Sequence, residues 1–585
     1  MAGRDNARNL AQPTNTNIWA LVIGIGFLLA LSVGYSFCRW VGVTVRGEDV
    51  AVTWHPLLAF LEVLMGNAAW GRAETVTACA LAVLVGLVVA LIVAFKRNGA
   101  PKKRARNTPK TQRTRIDSRT KYLASKKDVA SLSVERARET AERLHGEEMA
   151  KDYPGLRFGH EVATGQPLYS GWEDLQLIMA GPRQGKTTSS VIPAILDAPG
   201  CVVTTSNKPD IVADTIKVTE HRGTAWVFDP QGLTKLGARD WFYDPLSYIR
   251  SDKDNLDAAA GALASLFAGP FMREGGDNYF PSAARNLLTG MLLAAAITER
   301  PISDVLLWTN NERDKTPINI LAEVGGQDYW VKMLTGLYQL TDKTRSGVFG
   351  QAQNMVSVFA RAEVRKWVEK TPGRVEFVPE QFVREKADTL YLLSKEGPRS
   401  VGVLTTVLTV AVMQAAESYG EEQKNGRLPV PLVCPLDEMA NTVIWEELPA
   451  VVSHYGSRGI IILGYLQSFS QGIGVWGQEK MEALWSAMTI KLIGPGLSDE
   501  QVTKRVSDLV GVHEEYQRSA SRGSGGDSST QRSVHEKQTL TSSEVAEIPP
   551  GRWLVFSVGR RPMIAAMEPF YKRKFDKQTT ELMAK

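Results

Sequence analysis

Residues 175–196 read LQLIMAGPRQGKTTSSVIPAIL: an apolar run, a loop closing in Gly-Lys-Thr, then a stretch able to form a helix. Counted from Ala180, four residues separate it from Gly185, Lys186 and Thr187, which is a phosphate-loop pattern with Ala in its first place. Such a loop works only where a buried strand hands over to a helix, so the string commits the chain to an α/β fold. Gly185 lets the backbone approach a phosphate closely, and successive backbone N–H groups with the helix N-terminus favour an anion. The candidate nucleotide-binding residues are Ala180, Gly181, Pro182, Arg183, Gln184, Gly185, Lys186, Thr187 and Thr188. Lys186 would reach the β- and γ-phosphates and the Thr187 hydroxyl would ligate magnesium, so ATP and Mg2+ are the expected cofactors. Pro193 should break or kink the following helix after about two turns.

A second string, LVCPLDEMAN over 432–441, is an apolar strand ending in Asp437-Glu438. A phosphate-loop enzyme needs a carboxylate at the end of a neighbouring strand to hold magnesium, and a base to orient the attacking water. Asp437 is assigned the first role and Glu438 the second; the plain alternative is a strand-to-helix turn with a capping acid. Beyond another strand-like run, Ile460–Tyr465, comes Gln467, placed to sense a γ-phosphate beside the acid pair. Arg458, just before that run, is either a solvated cation of its own subunit or an arginine finger reaching a neighbour's nucleotide in a ring.

Short apolar runs, Leu177–Ala180, Cys201–Thr205, Trp226–Phe228, Leu432–Leu436 and Ile460–Tyr465, read as buried parallel strands. The texture changes to Ala/Leu-rich helix over 255–365, giving an all-α insertion between the parts of an α/β domain at 166–254 and 366–513. Residues 514–540, rich in Ser, Gly, Arg and Gln, read as a mobile surface loop, and 541–585 as a last strand (Trp553–Val558) and a charged tail. Four dispersed cysteines and seven histidines form no metal-ligand spacing.

Ile18–Phe37 and Thr75–Phe95 carry no charge over 20 and 21 residues, each enough to cross roughly 30 Å of hydrocarbon as a helix. Residues 1–95 therefore read as a two-helix membrane anchor, and 96–165 as a basic juxtamembrane linker. Lys96–Lys127 holds thirteen Lys or Arg against Asp117 alone, or +12, so the remaining residues sum to 5 − 12 = −7. Cations concentrated after the second span place both termini in the cytoplasm, with the loop between the spans outside. The basic run either faces anionic lipid or feeds nucleic acid; a uniformly basic nucleic-acid-coating protein is excluded.

The order of these parts resembles the type IV secretion coupling proteins, the TraG/TraD-like membrane ATPases of conjugative DNA transfer. The resemblance runs through both spans, the phosphate loop, VIPAIL with Pro193, GCVVTTSNKPD, WVFDPQG, the helical insertion, LDEMAN, SRGIIILGYLQSFSQ and LTSSEVAEIPPGRWLVF. It implies a RecA-like ATPase domain assembled as a homo-hexamer at the inner membrane, with the all-α domain selecting substrate. It also implies ATP-driven delivery of relaxase-bound single-stranded DNA, and sometimes protein, to a type IV secretion channel. Lys186, Thr187, Asp437, Glu438, Arg458 and Gln467 fall on the family's functional positions. Where members carry an acid two residues before a lysine in the second strand, this chain has Ser206 before Lys208, and the following Gly-Glu is Pro209-Asp210. The competing reading is a nucleotide-gated receptor that docks protein substrates at the channel without moving DNA.

Overall fold

The computed structural model describes residues 33–47, 52, 58, 65, 72–73, 75–80, 114–236, 240–272, 278–397, 400–522 and 528–584. The chain divides into two units, 1–111 and 112–585. In the first, 33–46 and 75–80 are helical, whereas most of both expected spans and the basic run 96–113 lie outside the described residues. Among the described residues one helix, Tyr279–Ile297, is long and apolar enough to cross a membrane, but 67% of its apolar stretch is buried inside the second unit. It is a core helix of that unit.

The second unit is built on an eleven-stranded sheet, ordered β2-β1-β15-β14-β11-β3-β10-β9-β4-β8-β5. Its parallel part comprises β3 (Gln176–Met179), β4 (Val202–Ser206), β5 (Ala225–Phe228), β8 (Thr389–Leu393), β9 (Leu432–Leu436), β10 (Ile460–Leu466) and β11 (Ile490–Ile493). Every residue of β3, β4, β8, β9 and β10 is buried, as a parallel sheet covered on both faces requires. Alternation sends Leu177, Met179, Ile460 and Ile462 into one core and Ile178, Ile461, Leu463 and Tyr465 into the other. Parallel strands also bring their C-terminal ends to a single edge, where open α/β sheets bind ligands.

Four antiparallel strands extend this sheet: β14 (Arg552–Ser557), which is the last strand expected at Trp553–Val558, and three that the sequence reading did not anticipate, β1 (Leu156–Glu161), β2 (Pro167–Ser170) and β15 (Met563–Ala566). β1 takes in residues assigned to the juxtamembrane linker. The 3-10 helix Arg115–Tyr122 precedes it, and Asp117, the lone acid of the basic run, is the buried partner of Arg552. Arg552 donates to both Asp117 oxygens at 2.8 and 3.0 Å, and the side chains are 5% and 6% exposed. Burial pushes the Asp117 carboxyl up, but bonds from Arg552 and Thr114 outweigh it and hold the pKa below its ordinary value. The pair's contribution is thus full at neutral pH and is lost as pH falls through the carboxylate range. Arg552→Ala strands a buried carboxylate and is expected to destabilise the chain by about 3–5 kcal/mol, read as a lower denaturant midpoint.

Residues 514–540 also differ from the expected loop. β12 (Val512–Arg522) and β13 (Ser528–Gln538) pair antiparallel as a separate ribbon, with Tyr516 opposite Val534. Lys537 bonds Glu515 at 3.1 Å, and His513 stacks on Tyr122 with ring centroids 3.6 Å apart. Outside the main sheet the ribbon has no need of an apolar face, which is why its composition reads as a loop. Two further short strands, β6 (Trp241–Phe242) and β7 (Val375–Glu376), pair in parallel outside the main sheet.

Candidate functional site

The phosphate-loop string bends at the C-terminal end of β3, and glycine is required there for two reasons. A Cβ on Gly181 would lie 2.2 Å from the carbonyl oxygen of Gly496, while its N–H donates to Pro495 at 2.9 Å. The loop is therefore clamped against the turn after β11. Gly185 has φ +82°, in the left-handed region. Arg183 also has positive φ (+59°), and Pro182 and Arg183 are exposed at the crest while Lys186 is 6% exposed beneath. The Lys186 ammonium donates to the Ala180 carbonyl at 2.7 Å. Burial lowers its pKa against the pull of Glu438 and Asp437, with Lys208 adding like-charge repulsion.

The helix after the loop resolves the problem set by Pro193. Thr187–Val191 is a π-helical turn, and Ile192 donates its N–H to the Thr187 carbonyl, five residues back. The α-helix Ile192–Asp197 begins only there and takes Pro193 in its first turn, where a missing N–H costs least. No break results. Ser190 and Tyr465 hydroxyls, 2.9 Å apart, tie the π-turn to β10.

β10, not the acid-bearing β9, is the strand beside β3 on this side, so β9 is one strand further away than expected. The geometry still brings the acids to the loop. Thr187 Oγ1 donates to Asp437 Oδ2 at 3.1 Å, and Gln467 Nε2, at the end of β10, donates to Glu438 Oε2 at 2.9 Å. Hydroxyls of Thr205 and Thr442 bond the Asp437 carbonyl at 2.8 and 3.0 Å and fix the turn. Glu438 has φ +51°, a left-handed conformation that a non-glycine residue holds only when its surroundings enforce it. Asp437 and Glu438 are 5% and 9% exposed, and burial together with Glu438 pushes the Asp437 carboxyl up to about 7. Hard oxygen donors with an under-neutralised buried acid between them suit a magnesium ion, whose charge would bring that carboxyl back down.

Lys186, Thr187, Asp437, Glu438 and Gln467 are thus brought together. Arg458 is not among them: it ends the helix Leu448–Arg458 at the opposite end of β10, and bonds Glu417 at 3.1 Å and Glu421 at 2.8 Å in its own chain. At the site's edge are residues to which the sequence reading gave no role. Glu396, beyond β8, accepts from Asn207, beyond β4, at 2.9 Å and from Asn441 at 2.8 Å. Asp210 adds to the upward push on Asp437. The available signal was positional: they are among the first polar residues after fully buried parallel runs, where chemistry collects in such sheets.

The family model described as the TraM recognition site of TraD and TraG matches residues 431–550, a segment that includes the acid pair, Arg458, Gln467 and the ribbon. Among solved structures, the bacterial conjugative coupling protein TrwBdeltaN70 in its unbound monoclinic form matches with a TM-score of 0.50 at 17% identity, over 71% of this chain and 90% of that one. The solved structure shows that the chain shares its fold with TrwB. A second coupling-protein structure, plasmid coupling protein TrwB in complex with ADP and Mg2+, matches with a TM-score of 0.50 at 16% identity, over 72% of this chain and 91% of that one. No curated protein matches this chain by sequence.

Proposed function

We propose that this chain is a type IV coupling protein, a membrane-anchored ATPase that uses ATP hydrolysis to deliver relaxase-bound single-stranded DNA, and possibly protein, to a type IV secretion channel. The observation that carries this is the joined pair of contacts, Thr187 to Asp437 and Gln467 to Glu438, at the mouth of the phosphate loop. That arrangement supplies every group hydrolysis requires of the chain. Backbone N–H groups of 183–188 and the Lys186 ammonium bind the phosphates. Thr187 and Asp437 would hold a magnesium ion, which supplies charge neutralisation when bound. Glu438 accepts the proton of the attacking water, and Gln467 orients that water and the base. Binding of ADP and Mg2+ by TrwB on the same fold favours these cofactors.

The oligomer in this reading is a homo-hexameric ring at the inner membrane, anchored by the runs 18–37 and 75–95 with both termini cytoplasmic. In it Arg458 leaves Glu417 and Glu421 to serve a neighbour's site as a finger. Residues 431–550 carry the contact with relaxosome proteins, in line with the TraM recognition that describes the matched family.

The test is ATP turnover by the full chain in detergent, with and without single-stranded DNA, across salt concentrations. Stimulation by DNA that fades as salt rises is expected, because neutralising phosphates releases counterions. Turnover indifferent to DNA would reject translocation and leave a nucleotide-gated receptor for protein substrates.

A further inference from the structure

Glu438 is held in a left-handed turn, and residues far from the acid pair in sequence hold it there. The turn continues into one short helical segment, Met439–Thr442, in which Asn441 donates its N–H to the Glu438 carbonyl at 2.8 Å. The Asn441 side chain turns outward and donates to Glu396 Oε1 at 2.8 Å. That same oxygen accepts from Asn207 at 2.9 Å. One carboxylate oxygen thus joins the strand ends of β4, β8 and β9.

Glu396 is itself on a fixed backbone. The Ser394 N–H donates to the Ser206 carbonyl at 3.0 Å, and the Lys395 N–H donates to Gln231 Oε1, beyond β5, at 2.7 Å. Glu396 is exposed, yet a single one of its oxygens is shared by two amides from different strand ends. We propose that Glu396 is a positioning residue for the reaction at Glu438, bracing the turn that carries the base against the loops after β4 and β5. It acts through Asn441 and touches no reactant. The proposal rests on the reading of Glu438 as the base.

The brace requires only an acceptor oxygen, and that sets the test. In the full chain, Glu396→Ala lowers kcat for ATP by about tenfold and leaves KM within about twofold, because a misplaced base slows chemistry without loosening phosphate binding. Glu396→Gln keeps an oxygen able to accept both amides and restores most of the loss. Asn441→Ala reproduces the kcat loss independently, and the Glu396→Ala/Asn441→Ala double variant is no slower than the worse single one, as for two halves of a single contact. Unfolding midpoints of the variants identify any that fail to fold. An unchanged kcat in Glu396→Ala while Glu438→Gln is slow overturns the proposal alone. An equal loss in the Ala and Gln variants also overturns it, since the acceptor would then be irrelevant. A wild-type rate in Glu438→Gln overturns the base assignment beneath it.

Discussion

Lys186→Ala is expected to lower ATP turnover by about 10²–10³-fold, the cost of removing one preorganised charge from a dry site. The ammonium lies at the loop's own carbonyl, 6% exposed, and feels both Asp437 and Glu438. Removing it deletes a phosphate ligand and also the chief positive neighbour of the acid pair, so the Asp437 carboxyl should climb further from its ordinary value. Magnesium-dependent nucleotide binding should therefore weaken alongside turnover, which fluorescence titration with a labelled nucleotide measures. The fold should survive, because the loop's shape is set by Gly181 against Gly496 and by the π-turn, neither of which uses the lysine side chain. Full turnover in this variant would detach the chemistry from the loop.

The residues in this argument were legible in the sequence because their signals are local. A buried strand of four to seven residues announces itself by apolar character, and the first polar groups after it stand at the reactive edge; Asp437 and Gln467 follow that rule, and Lys186 is marked by its spacing from Ala180 and Gly185. Glu396 comes soon after β8, behind Ser394 and Lys395, yet its partners Asn207 and Asn441 come from other strand ends, and only the β9-β4-β8 order makes them neighbours. Asp117 is the sharper case. Within its own stretch it is one acid among thirteen cations, and the arginine that buries it lies 435 positions away. Pro193 misled in the opposite direction: the rule that proline breaks a helix is sound, but a π-turn moved the helix start to meet it. The ribbon β12–β13 was hidden because strand signals come from burying one face, and this pair lies outside the main sheet.

Glu438→Gln separates the base from the scaffold more cleanly than any other change to the site. Gln has the same length and the same tolerance of φ +51°, and its carbonyl oxygen can still accept from Gln467, so the turn should keep its shape. What disappears is a proton acceptor, and turnover should fall by about 10²–10⁴-fold, the usual contribution of a positioned general base. Binding should move the other way. Glu438 is one reason the Asp437 carboxyl stands at about 7, so removing its charge lowers that pKa and leaves Asp437 more fully ionised at neutral pH. Mg2+-nucleotide should consequently bind at least as tightly as to the wild type, and single-turnover measurements should show a slow chemical step after normal binding. A variant that instead binds weakly would make Glu438 a cation ligand. One that turns over normally would pass the role of base to another residue, and Asp437, already bonded to Thr187, is the only other carboxylate that the acid turn brings into contact with the phosphate loop among the described residues.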